Sequence, residues 1–278
     1  MTTVLITKAN GEQEPFNETK LDRSLERAGA SKEMREKIIH ITMSDLRDGM
    51  STQEIYERAF DMLRDEERRP VAARYSIKRA VLDLGPSGFP FEQFMGAIFE
   101  AIGYTDVQTG VALQGKCAPH EVDIVAEHEG KRVAAEVKFH NSLGVKTDLK
   151  VALYVKARFD DLSAKGEKVD EGWLITNTRF TRNAARYSNC VGMHLLGWDY
   201  PRGRGLEILV DQSGIHPITA LTSLSPKEKR SLLDDNIVLC RQMPRTSEEL
   251  SVYGIPKDKH DAIREEVGGL CAVPKANV

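Results

Sequence analysis

Apolar residues return every three or four positions from Phe91 through Phe94 and Ile98 to Ile102, which marks one side of a helix, and Gly103 supplies its stop. Beyond an intervening strand, EVDIVAEHEGKRVAAEVKFH, residues 121–140, alternates polar and apolar residues at every second position. It reads as two strands joined through Glu129-Gly130-Lys131. Glu121 and Asp123 fall on one face of the first strand, with Val122 and Ile124 on the other. On the second, Glu136, Lys138 and His140 fall together, away from Val137. Such a hairpin brings two carboxylates and a lysine together, and the same spacing also describes a hairpin with one solvated face. Downstream, VKTDLKVALYVKARFDDL predicts an amphipathic helix, GWLITN a buried strand, RNAARYSN a short helix and MHLLGW a further strand. Residues 89–212 therefore read as an α/β domain.

The two ends of the chain follow a different pattern. TVLITK is a short β-rich run, and NGEQEPFN supplies turn residues before Asn17, which can cap a helix through KLDRSLERA. Helical patterns follow at 31–47, at 52–64 with Ser51 and Glu54 spaced as a capping box, and at 70–84 from Pro70. The breaker GPSGFP, residues 85–90, then closes a mostly helical domain, residues 1–88. After EILVDQSG the composition changes, and helices are expected at 226–233, 237–241 and 257–267, a small helical C-terminal appendage, residues 213–278.

A length of 278 residues exceeds the roughly 100–200 of one domain, in keeping with this division. Hydrophobic residues at 41% and charged ones at 29% describe a water-soluble protein, and a net charge of −3 gives no overall attraction to polyanions, so any such site is local. Cys117, Cys190, Cys240 and Cys271 lack metal-ligand spacing, which suits reduced thiols and a cytoplasmic protein. Neither a secretory start nor an apolar run of about 18 residues is present, so no membrane partner is expected. Lys8 beside the turn, and Lys20 in a first helical turn where it opposes the helix dipole, suit an external phosphate. They equally fit solvated surface charge.

ITKANGEQEPFNETKL, STQEIYERAFDML and VAARYSIKRAV, in that order, resemble the ATP-cone, the regulatory nucleotide-binding domain of ribonucleotide reductases and of the repressors of their genes. The resemblance implies ATP or dATP as a regulatory ligand. It places Lys8, Glu14, Asn17, Lys20, Leu21 and Thr52 at the nucleotide, with Lys78 and Arg79 as further phosphate contacts. Residues 89–210, through FEQFMGAIFEAIGY, HEVDIVAEHEGKRVAAEVKFH and GWLITNTRFTRNAARYS, resemble the restriction-endonuclease-like PD-(D/E)xK nucleases of the Mrr type. The implied fold is a central mixed-sheet α/β core.

That second resemblance implies a catalytic set of Asp123, Glu136 and Lys138. Hard oxygen ligands from Asp123, Glu136, the Val137 carbonyl and Glu92 would hold Mg²⁺ or Mn²⁺, and Lys138 would orient or deprotonate water. Glu92 also fits an ordinary exposed helix position, while Glu121 and His140 stay unassigned neighbours. Arg179, Arg182 and Arg186, spaced by three and four, would meet DNA phosphate or simply cover an exposed helix face. ELSVYGIPKDKHDAI faintly resembles a helix-hairpin-helix DNA-binding element without its second glycine; docking or dimerisation fits that region equally. The expectation is a metal-dependent DNA endonuclease controlled by a purine nucleotide, with a homodimer or nucleotide-dependent oligomer natural for paired nicking. The alternative is a nucleotide-sensing DNA-binding or assembly protein with an inactive nuclease core.

Overall fold

The structure, a computed structural model, describes residues 4–166 and 169–271, so Thr3, at the head of the expected first strand, lies outside it. The chain forms two compact units. One runs to Ala80 and resumes at Ile218, and the other is Val81–Pro217.

In the first unit, β1 (Leu5–Thr7) pairs antiparallel with β2 (Gln13–Pro15), where the sequence predicted only turn. A three-residue strand shows no alternation to read, and Pro15, without an N–H, is tolerated at a sheet edge. Asn17 caps α1 (Glu18–Ala28), its Oδ1 accepting from Lys20 N at 3.0 Å. Next come α2 (Lys32–Asp45) and α3 (Thr52–Glu66), the latter opened by the Ser51/Glu54 capping box. The single helix expected at 70–84 is two, α4 (Arg69–Tyr75) and α5 (Ile77–Leu82). Ser76 separates them, and its hydroxyl bonds back to the Ala73 carbonyl at 2.9 Å, a local bond that competes with helical pairing. Leu21, Leu25, Ile38, Ile55, Leu63 and Val71 share one core.

The second unit holds a mixed five-stranded sheet. Before it comes α6 (Phe89–Ala101), with Phe91, Phe94 and Ile98 buried as the stripe predicts. β3 (Thr105–Gln114), β4 (Pro119–His128) and β5 (Lys131–Lys138) form an antiparallel meander. After the short β6 (Lys146–Thr147) and α7 (Leu149–Lys165), β7 (Glu171–Thr176) joins β5 in parallel. β8 (Arg179–Phe180) pairs with β6, α8 (Arg182–Cys190) follows, and β9 (His194–Leu196) joins β7 in parallel. The sheet order is β3-β4-β5-β7-β9, and α9 (Leu206–Ser213) ends the unit. Val133 to Val137 are buried without a break, so β5 is covered on both faces and the wet face allowed by the alternation does not exist there.

The C-terminal region returns to the first unit. α10 (Pro226–Asp234) forms where a helix is expected, α11 (Ser247–Val252) lies outside the expected helices, and α12 (His260–Cys271) begins three residues later than expected, behind a 3₁₀ turn at Lys257–Lys259. The helix expected at 237–241 is only a 3₁₀ turn, Cys240–Gln242. The Val238 carbonyl accepts from Ile218 N at 2.7 Å, and Gln242 Oε1 accepts from Val238 N and Leu239 N, so those backbone groups are taken. α12 packs on α4. Arg74 donates to the Gly269 carbonyl at 2.5 Å, and a Cβ on Gly269 would stand 2.3 Å from Pro70 Cγ, so the approach requires glycine. Glu266, wholly buried, accepts from Thr222 N, Ser223 N and the Ser223 hydroxyl at 2.6–3.0 Å.

Candidate active site and nucleotide site

Pairing between β4 and β5 ends at Ile124 with Ala135, whereas β5 stays paired with β7 through Lys138 opposite Thr176. One step past the last β4–β5 pair, Asp123 stands in place of the missing backbone partner, its Oδ2 accepting from Val137 N at 2.6 Å. An amide left without its partner strand thereby finds a carboxylate. Glu136, the next residue on β5, is 1% exposed. One of its oxygens accepts from Lys138 Nζ and the other from Arg158 Nη1.

Arg158, on α7, was not foreseen as a site residue. Its Nη1 also donates to the Glu121 carbonyl at 2.8 Å and its Nη2 to the Tyr154 hydroxyl at 2.6 Å, with the guanidinium 4.9 Å from the Tyr154 ring centre. The signal lay in the predicted amphipathic helix: a basic residue directly before Phe159, beside the buried positions Val155, Phe159 and Leu162.

The carboxylates crowd one another. Burial, then the Glu136 charge, pushes Asp123 up to about 6. Burial, then the charges of Asp123, Glu121 and Glu136, pushes Glu92 up to about 7. Glu92, partly buried, thus feels the same electrostatic environment as the strand carboxylates. Among the described residues no three His, Cys, Asp or Glu side chains form a ready ion cage. His140 is turned to a structural task, with its ring 3.0 Å from the Thr147 hydroxyl and its backbone N–H and carbonyl both bonded to Asn177. Burial holds its pKa below the usual range. Arg179 forks onto Asp199, with bonds of 3.2 and 2.6 Å, while Arg182 and Arg186 are exposed four residues apart on α8.

In the first unit Glu14 bridges two of the predicted lysines, meeting Lys8 at 2.9 Å and Lys20 at 3.1 Å. The Lys8 contact is the leading cause that lowers the Glu14 pKa, and Glu14 raises that of Lys8 in return. Asn17 adjoins them as the α1 cap. Thr52 opens α3, beside the Thr7 to Ser51 bridge that joins β1 to this helix start. Leu21 is 7% exposed and serves the core; Lys78 and Arg79 lie on α5.

Comparison with known proteins matches the chain by region. The ATP cone domain model matches residues 4–83, the restriction endonuclease model residues 86–198, and a model described as AF1548-like, C-terminal, residues 216–271. The first two are the resemblances read from the sequence. An uncharacterized protein of Archaeoglobus fulgidus is 39% identical over 155 residues, 56% of this chain and 86% of its own. The crystal structure of a protein of unknown function, AF1548, matches at 32% identity and a TM-score of 0.55, over 66% of this chain and all of that one. A structure of Can2 from Sulfobacillus thermosulfidooxidans with cyclic tetra-adenylate is 11% identical, with a TM-score of 0.32, over 67% of this chain and 60% of that one, too slight a likeness to weigh.

Proposed function

Because this chain belongs to the AF1548-like family and carries an ATP cone domain ahead of a restriction endonuclease domain, we propose that it is a metal-dependent DNA endonuclease whose activity responds to ATP or dATP. The observation that carries this reading is that Asp123, on the Val137 amide, lies within electrostatic reach of the Glu136–Lys138 pair where β4 and β5 part. The donor set fits Mg²⁺ or Mn²⁺: hard carboxylate oxygens, with the pKa values of Asp123 and Glu92 raised first by burial and then by neighbouring carboxylate charge, a repulsion that an added cation relieves. Asp123, Glu136, the Val137 carbonyl and Glu92 would hold it, and when bound it supplies charge neutralisation and an activated water.

The side chains divide the remaining work. Lys138, partly exposed beside the buried Glu136, holds a positive charge where a scissile phosphate gains negative charge, and can orient a water by hydrogen bonding. Arg158 fixes the Glu136 carboxylate from the opposite oxygen. Arg182 and Arg186 present charge for the DNA backbone, which positions without reading sequence. Arg179 would have to exchange Asp199 for phosphate. At the cone, Lys8, Lys20 and Asn17 offer donors to a triphosphate, with Glu14, Leu21, Thr52, Lys78 and Arg79 completing the site. Control of cleavage requires the ATP and dATP states to favour different conformations.

One observation favours the other reading, a nucleotide-sensing DNA-binding protein with an inactive core: both Glu136 oxygens are already engaged by cations of the chain. The two are separated by incubating the protein with branched, methylated and plain duplex DNA, Mg²⁺ or Mn²⁺, with and without ATP or dATP. Metal-dependent products that vanish in Asp123→Ala and Glu136→Ala support the nuclease. Nucleotide binding with no cleavage of any DNA supports the alternative.

A further inference from the structure

In the C-terminal region, the 3₁₀ turn Cys240–Gln242, the segment after it and helices α11 and α12 line an open cavity of about 400 Å³. Small-molecule sites span about 300–1,000 Å³. Met243, Leu250 and Ile263, each 5% exposed or less, form an apolar floor. Arg241, Arg245 and Arg264, whose residues are exposed, also line it, and among the described residues no carboxylate does. Arg264 meets Asp261 at 3.0 Å, but Asp261 is 97% exposed, and a pair so open to water restrains a guanidinium only weakly. Gly268 opens onto the same space: a Cβ there would meet nothing within 4 Å.

An apolar floor with three arginines also in the lining suits a ligand with two unlike ends. The floor gains by covering an aromatic or aliphatic body, and arginine forks match the oxygens of a phosphate in pairs, as lysine ammonium groups do not. From this charge complementarity we infer that the cavity binds a small organic phosphate, its body against Met243, Leu250 and Ile263 and its phosphate among Arg241, Arg245 and Arg264. The site shares no residue with the cone lysines or the carboxylate cluster, so it stands whether or not the nuclease reading holds.

The test uses the full chain and 1-naphthyl phosphate, followed by naphthyl fluorescence and calorimetry. The expected result is saturable one-to-one binding, with 1-naphthol and inorganic phosphate each weaker by about tenfold or more. Gly268→Leu, which fills the space, should abolish binding while circular dichroism and the melting transition report an intact fold. Arg245→Ala with Arg264→Ala, both exposed, should weaken binding about tenfold or more; this variant carries the test alone if the glycine variant does not fold. Lys8→Ala with Lys20→Ala should leave it unchanged. Absence of saturable binding, equal affinity for 1-naphthol, full affinity in the double arginine variant, or loss in the double lysine variant overturns the assignment.

Discussion

Arg158 of α7 and Lys138 of β5 hold the two oxygens of one buried carboxylate, Glu136, so the most enclosed acid of the sheet is clamped from two elements. Removing one partner of a buried pair leaves its charge uncompensated, at a cost of about 3–5 kcal/mol. Arg158→Ala should therefore lower stability by about 3 kcal/mol in denaturant unfolding without divalent metal. Added Mg²⁺ should restore more of that loss in the variant than it adds to the parent chain, because a cation at Glu136 replaces the missing guanidinium.

Lys138→Met keeps the length of the side chain and removes its charge and donors. Cleavage should fall by about 10²–10⁴-fold, measured as initial rate on whichever DNA the parent chain cuts. Divalent-metal binding, read by calorimetry, should survive in this variant and be lost in Asp123→Asn.

Stability without metal should depend on pH through Asp123 and Glu92, whose folded values of about 6 and about 7 lie above those of an unfolded chain. The sign follows from proton binding: the folded state holds these protons longer. Their contribution is fully present below about pH 4 and is lost as pH rises through 6 to 7. Melting temperatures should fall across that window relative to Asp123→Asn with Glu92→Gln, and Mg²⁺ should narrow the difference at pH 8. Parallel profiles for the two proteins would refute the assignment.

Glu14 occupies Lys8 and Lys20 at once, so a nucleotide phosphate must compete with it or share them. Lys8→Ala should weaken ATP binding by about tenfold or more, the value of one charge-assisted hydrogen bond. Equilibrium dialysis with ATP and dATP measures it, and unchanged affinity for both places the phosphates elsewhere.

Gly269→Val drives a branched side chain against Pro70, where even a Cβ lacks room. Overpacking of this kind costs about 1–3 kcal/mol. The loss should appear in unfolding of the first unit, with DNA cleavage in the absence of nucleotide retained.

Much of the central domain was legible because its elements are locally periodic. The Phe91-Phe94-Ile98 stripe, the α7 pattern and the succession after the hairpin each mark one element, and their order carried the resemblance. Alternation placed Asp123 and Glu136 on adjoining strands, yet could not tell a wet face from a covered one. That depends on distant helices and on β7, which no window around residue 136 contains. Arg158 was hidden for the same reason: on its own helix it is one more cation among Lys150, Lys156 and Lys165, and only tertiary contact sets it against Glu136. The return of α12 to α4 rests on a glycine fit and the Arg74 bond to Gly269, neither of which leaves a periodic trace.

The first unit is assembled from both flanks of the chain, so the central segment is an insertion with two covalent exits, one after Ala80 and one before Ile218. Cutting the chain at a single exit should leave the packing of α12 on α4, the Arg74–Gly269 bond and the bond from the Thr219 hydroxyl to the Ala80 carbonyl to hold the host together, while deleting α12 would strip α4 of its cover and expose apolar surface. The unit that carries the ATP cone domain is thus a two-piece frame, and a version of it without the central segment needs both pieces.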